Sequence, residues 1–130
     1  MLNTFLIAEK TLVREKGDGP AINVSSAAGK VLLLSLNITD IIEQQSLDVA
    51  IWGSPDGANW GEKPLLSFPQ KFYRGQHPLL IDLSKHPAAK FLRAHWEVGR
   101  WGRQAEGPRF ELQLSVKEVP QEVLAEVRAG

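Results

Sequence analysis

His95, Glu97 and Glu111 lie on the polar phase of alternating segments, an arrangement that offers a metal site or an acid/base pair and equally describes solvated cross-strand charges. Trp52, out of phase with Leu47, Val49 and Ile51, offers a flat ring to a sugar or a partner, or else lies under a covering segment. Trp101, between Arg100 and Arg103, is a candidate exposed anchor, because Trp and Arg dominate interface hot spots. Arg93, His95, Glu111 and Gln113 are the hydrogen-bonding companions a sugar platform would need. Arginine beside an aromatic can also clamp phosphate and base. Against that, 15 basic and 15 acidic residues give a net charge of zero and remove the long-range field of a general nucleic-acid binder.

The remaining reactive types have simpler explanations. His77 and His86 sit in connections without a ligand partner at usable spacing. Asp18 and Asp56 occupy turns, where aspartate bonds its own backbone and needs no calcium. Asn23-Val24-Ser25 and Asn37-Ile38-Thr39 match glycosylation acceptors, which mean little without an export signal. Cysteine is absent, so no disulfide framework or thiolate site can form. With no Gly-x-Ser-x-Gly elbow, phosphate-binding loop or triad, the sequence predicts neither an enzyme nor a cofactor.

The elements that must position these residues are strands. Residues 46–60 begin with Leu47, Val49 and Ile51 alternating with Asp48, Ala50 and Trp52, the period of a strand with one face on a core. Pro55, Asp56 and Gly57 then supply preset φ, a local acceptor and a positive-φ position, which predict a tight hairpin pinned by Trp60. Residues 30–40 read as a central strand, with Leu32, Leu34, Leu36 and Ile38 inward and Ser35, Asn37 and Thr39 outward. Residues 90–98 put Leu92, Ala94, Trp96 and Val98 inward, and the last strand puts Phe110, Leu112, Leu114 and Val116 inward.

Other segments carry weaker signals. Residues 2–14 read as a strand interrupted near Glu9, residues 17–20 as a turn, and residues 21–25 as a short strand. In residues 65–73, Leu66, Phe68, Gln70 and Phe72 share a face, and Pro69 argues for an edge or a bulge. Gly75 and Pro78 flank a connection before a strand at 79–83, and residues 99–108 form a glycine-punctuated hairpin loop.

Seven or eight short strands without a long helical stretch predict an all-β, antiparallel two-sheet sandwich of jelly-roll type over residues 1–118, with a closed barrel as the rival. Residues 119–130 form a tail in which Val123, Leu124 and Val127 share one side of a short helix, marginal alone and in need of a docking surface. No signal peptide or membrane span is apparent, so a cytoplasmic or particle-associated protein is the default expectation.

The succession SLDVAIWGSPDGANW, LLSFPQKF, LLIDLSKHP, KFLRAHWEVG and PRFELQLSV resembles small β-sandwich proteins encoded among phage and prophage structural genes. Matching positions are Ser54, Pro55, Asp56, Gly57, Trp60, Arg93, Trp96, Gly99 and Phe110, within residues 30–116. The resemblance implies a sandwich serving a particle. Ser54, Asp56, Gly57, Trp60 and Arg93 also resemble the middle of a discoidin-type jelly roll, from which this chain departs in its lack of cysteine, its shortness and the absence of aromatic spikes on successive loops. The sialidase-type aspartate box is not matched, because Gly57 follows Asp56 directly.

Two roles are therefore expected. The first is a non-enzymatic structural protein that forms a homo-oligomer or docks on a scaffold through its ends and the 99–108 loop, with no nucleic acid or membrane involved. The second is a carbohydrate-binding or discoidin-like module.

Overall fold

The computed structural model describes residues 2–41, 45–70, 74–100 and 110–120. Among the described residues nine strands form two antiparallel sheets: β1 (Asn3–Val13), β2 (Gly17–Asp18), β3 (Ile22–Asn23), β4 (Val31–Ile41), β5 (Gln45–Ser54), β6 (Leu66–Ser67), β7 (Gly75–Asp82), β8 (Phe91–Arg100) and β9 (Phe110–Val119). The front sheet has the order β1-β9-β4-β7; the back sheet has the order β2-β8-β5-β6, with β3 also on β8. Taking β2 and β3 as one broken strand gives eight, and the chain then changes sheet at every connection except β5 to β6. This is a jelly-roll winding of a two-sheet sandwich.

The alternation seen in the sequence sets which side chains meet between the sheets. Leu32, Leu34, Leu36 and Ile38 of β4 and Phe110, Leu112, Leu114 and Val116 of β9 are buried against Leu47, Val49 and Ile51 of β5 and Leu92 and Ala94 of β8. Strand β4 is interior to its sheet, as its long apolar phase requires. Trp96 lies at the core's margin, half-buried, with its Nε1 donating to the Glu15 carbonyl at 3.1 Å. Strand β1 is indeed interrupted: its register against β9 shifts between Ile7 and Thr11, and Lys10 takes a φ of 55°.

Four expectations need correction. Gly17 and Asp18 are not a turn; they pair with Trp96 and His95, because the outer edge of β8 supplies a partner that local sequence cannot reveal. The Pro55-Asp56-Gly57 turn exists but does not close a tight hairpin, since β5 is next met by Leu66 and Ser67 after the loop of residues 55–65. Of the predicted strand at 65–73, Leu66 and Ser67 are the strand residues among those described and Gln70 is not, while residues 71–73 lie outside the described residues. Gly75 and Pro78 belong to β7, and Gly99 to β8. Pro78 is tolerated there because β7 is an edge strand, the one place in a sheet where a missing N–H costs no ladder bond.

The four sheet edges share a property. Pro78 interrupts the donors of β7, and β6 spans two residues just before Pro69. Between β2 and β3 the edge is broken at Gly19-Pro20, and β1 bulges around Lys10. Each device blunts strand-to-strand pairing with another chain.

Candidate functional site

The outer face of the back sheet gathers most of the chemistry-bearing residues. Strands β5 and β8 run in register, so Trp52 stands across from Arg93, Ala50 from His95 and Asp48 from Glu97. Asp18 of β2 lies beyond His95, and Ser67 of β6 beyond Ala50. Thus Asp18, His95, Ala50 and Ser67 form one row across four strands.

The loop of residues 55–65 folds over one end of this face. Its entry is built by Ser54, a buried polar residue at 1% exposure, whose Oγ donates to Asp56 Oδ1 at 3.0 Å and accepts from the Gly57 N–H at 2.9 Å. Asp56 Oδ1 accepts the N–H groups of Asn59 (2.8 Å) and Ala58 (2.9 Å). These bonds hold the Asp56 carboxyl below its ordinary pKa of 3.8, the Asn59 and Ala58 amides contributing most. Gly57 has a φ of 80°, which a side chain would resist. Gly53 is close-packed as well: a Cβ there would come within 2.7 Å of the Leu65 side chain, which seats the loop's far end.

The loop delivers Trp60 onto Arg93. The guanidinium carbon lies 4.4 Å from the indole centroid, a cation–π contact. On its other flank Arg93 Nε is 3.8 Å from Asp18 Oδ1, an electrostatic contact too long for a hydrogen bond. Asp18 Oδ1 instead accepts from His95 Nδ1 at 2.8 Å. Trp52 is half-buried, and its Nε1 is shielded from solvent without a hydrogen-bond partner. This favours the covered reading of Trp52 over the open platform, and Trp60 offers one face to Arg93 rather than to a ligand.

A shallow depression of about 240 Å³ lies beside the cluster, floored by Ala50 and bordered by Asp48, Ser67, His95 and Glu97. Neither Trp52 nor Trp60 lines it. Asp48 and Glu97 face each other as like charges, and Gln70 Nε2 donates to Asp48 Oδ2 at 3.0 Å. Among the described residues no group of three or more His, Asp or Glu has metal-binding geometry, and no helix is long and apolar enough to cross a membrane.

The structure separates the residues that the sequence grouped. His95 and Glu97 face outward from the back sheet, whereas Glu111 and Gln113 face outward from the front sheet, on the far side of the core. They therefore form neither a metal site nor one sugar-binding set with Arg93 and His95. Their grouping failed because period-two alternation tells inside from outside but cannot tell one outer face from the other. Trp101, Arg103, Val123, Leu124 and Val127 lie outside the described residues, as does the side chain of Arg100.

The outer face of the front sheet was missed by a search for reactive residues. Its rows run Asn3-Lys117-Leu33-Leu80, Phe5-Ser115-Ser35-Pro78 and Gln113-Asn37-Gln76, with Leu12 beside Glu111 at one end. Leu12 is 48% exposed, the one exposed large apolar side chain among the described residues. The signal was present in the sequence as uncharged residues at Leu33, Ser35 and Asn37 of β4 and at Gln113 and Ser115 in the middle of β9, where a solvated face normally carries charge. Compared with protein-family models and with curated proteins, the sequence matches none.

Proposed function

We propose that the protein is a non-enzymatic structural component that works by burying surface against copies of itself or a scaffold, as a part of a phage-like virion or other particle. The observation that carries this reading is the charge-poor outer face of the front sheet, in which amide, hydroxyl and apolar side chains occupy the middle rows. The cores of protein interfaces are depleted in charge in the same way. The blunted edges support association through faces rather than through strand addition. A net charge of zero opposes close packing only weakly.

The test is light scattering of the full chain over a wide concentration range, with and without oligosaccharides. A mass that rises with concentration and ignores the sugars is expected. A monomer at every concentration whose tryptophan fluorescence shifts with an oligosaccharide would replace the assembly role by a carbohydrate-binding one.

A further inference from the structure

Charge placement on the front sheet specifies how two copies would meet. Strand β9 lies inside that sheet, and its outward residues are Glu111, Gln113, Ser115 and Lys117. Its two charges stand at opposite ends of the face, with Asp40 of β4 in register with Glu111 and Leu33 of β4 in register with Lys117. Along β9 the face therefore runs from an acidic end through an uncharged middle to a basic end, with Asp82 at the β7 corner beyond Leu80.

We infer that two copies pack front sheet to front sheet about a two-fold axis running across the strands at the level of Leu114, so that Lys117 of each copy meets the partner's Glu111. This deepens the assembly reading and rests on it. Two in-plane axes can superpose the face on itself. The axis along the strands would lay Lys117 on the partner's Leu33 and leave both charges unmatched, whereas the axis across them pairs both ends at once. A two-fold interface must be self-complementary in this sense. It also sets the Ser115 row over the partner's Gln113 row, hydroxyl against amide.

The occupant is a second copy because the placement of Glu111 and Lys117 is complementary to itself, and the described residues offer association few other routes. Among the described residues strand addition is opposed at all four edges, and one end of the outer face of the back sheet is covered by the chain's own 55–65 loop. At a rise of ~3.4 Å per residue and a strand spacing of ~4.8 Å, the rows from Glu111 to Lys117 across four strands cover roughly 20 by 15 Å. That footprint is below the ~800 Å² per partner of a stable complex. The pair is thus expected to be weak and concentration-dependent in isolation, and to gain strength in a larger array through multivalency.

Charge reversal tests it. Lys117→Glu and Glu111→Lys each place like charges opposite one another at both ends, and each variant alone should weaken dimerisation by about tenfold or more. An equimolar mixture of the two should dimerise again, because one copy then carries two acidic and the other two basic ends. Ser115→Arg, a bulky charge in the middle of the face, should stay monomeric alone and in the mixtures, and supports the same conclusion should either reversal fail to fold. A wild-type chain that associates but ignores all three substitutions would overturn this pairing and leave self-association standing. A wild-type chain that is monomeric at every concentration would overturn both.

Discussion

The two outer faces of this sandwich share one core and the same strand geometry, yet they are dressed in opposite ways. The back face carries Trp52, Arg93, His95, Asp18, Asp48 and Glu97, and spends most of them on itself: Arg93 lies under Trp60, and His95 bonds Asp18. The front face carries serine, asparagine, glutamine, proline and leucine, with one charge at each end of β9. Among the described residues, reactive types thus gather on the face whose one end the chain covers with its own loop, and plain residues gather on the other.

This contrast can be broken most severely at Gly19, which joins β2 to β3 along the edge of β8 and donates its N–H to the Ala94 carbonyl. A Cβ at Gly19 would sit 2.5 Å from the Leu6 carbonyl oxygen, a backbone atom that cannot yield cheaply. Gly19→Ala is expected to cost about 1–3 kcal/mol in denaturant unfolding and to loosen β2 from β8, taking the Asp18 contacts with it. Unchanged stability together with unchanged His95 chemical shifts would show that β2 is not held as described.

A smaller effect is expected from uncovering the back face. Removing Trp60 deletes a partly exposed cation–π contact worth about 0.5–1 kcal/mol. Trp60→Ala should therefore lower stability modestly and open the Arg93 end of the face, while the self-association measured by light scattering stays as in the wild type. Loss of association in this variant would move the working surface from the front sheet to the back.

The smallest effect concerns the loop's entry. Asp56 has its carboxyl pKa depressed by hydrogen bonds from the Asn59 and Ala58 amides, so its stabilising contribution is present above the unfolded value of 3.8 and is lost as pH falls through the lower folded value. Asp56→Asn retains an acceptor but not the charge. Its unfolding free energy should vary less with pH between about 5 and 2 than that of the wild type, and equal slopes would remove the carboxylate from the loop's anchoring.

Sequence order carried the inner faces well. The strands β4, β8 and β9 were legible because a buried sheet face imposes strict alternation on Leu32 to Ile38, Leu92 to Ala94 and Phe110 to Val116, whatever the strand order. The Ser54-Pro55-Asp56-Gly57 turn was legible because its bonds span three residues. Its consequence was not: the same local chemistry serves whether the chain returns at once or after the excursion to Leu66. Strand β2 and the inclusion of Pro78 in β7 were hidden for a related reason, since both depend on a partner strand far away in sequence. The front face was the least visible part, because no single residue on it is unusual. Only the strand order β1-β9-β4-β7 brings Phe5, Ser115, Ser35 and Pro78 into one row.

The difference between the faces is tested most directly by hydroxyl-radical footprinting of the wild-type chain in dilute and in concentrated solution. Concentrating the protein should protect Phe5, Leu12, Leu33, Pro78 and Leu80 on the front face and leave Trp52 and Trp60 labelled to the same extent. Protection of Trp52 and Trp60 with the front face unchanged would contradict this account of which surface the molecule offers.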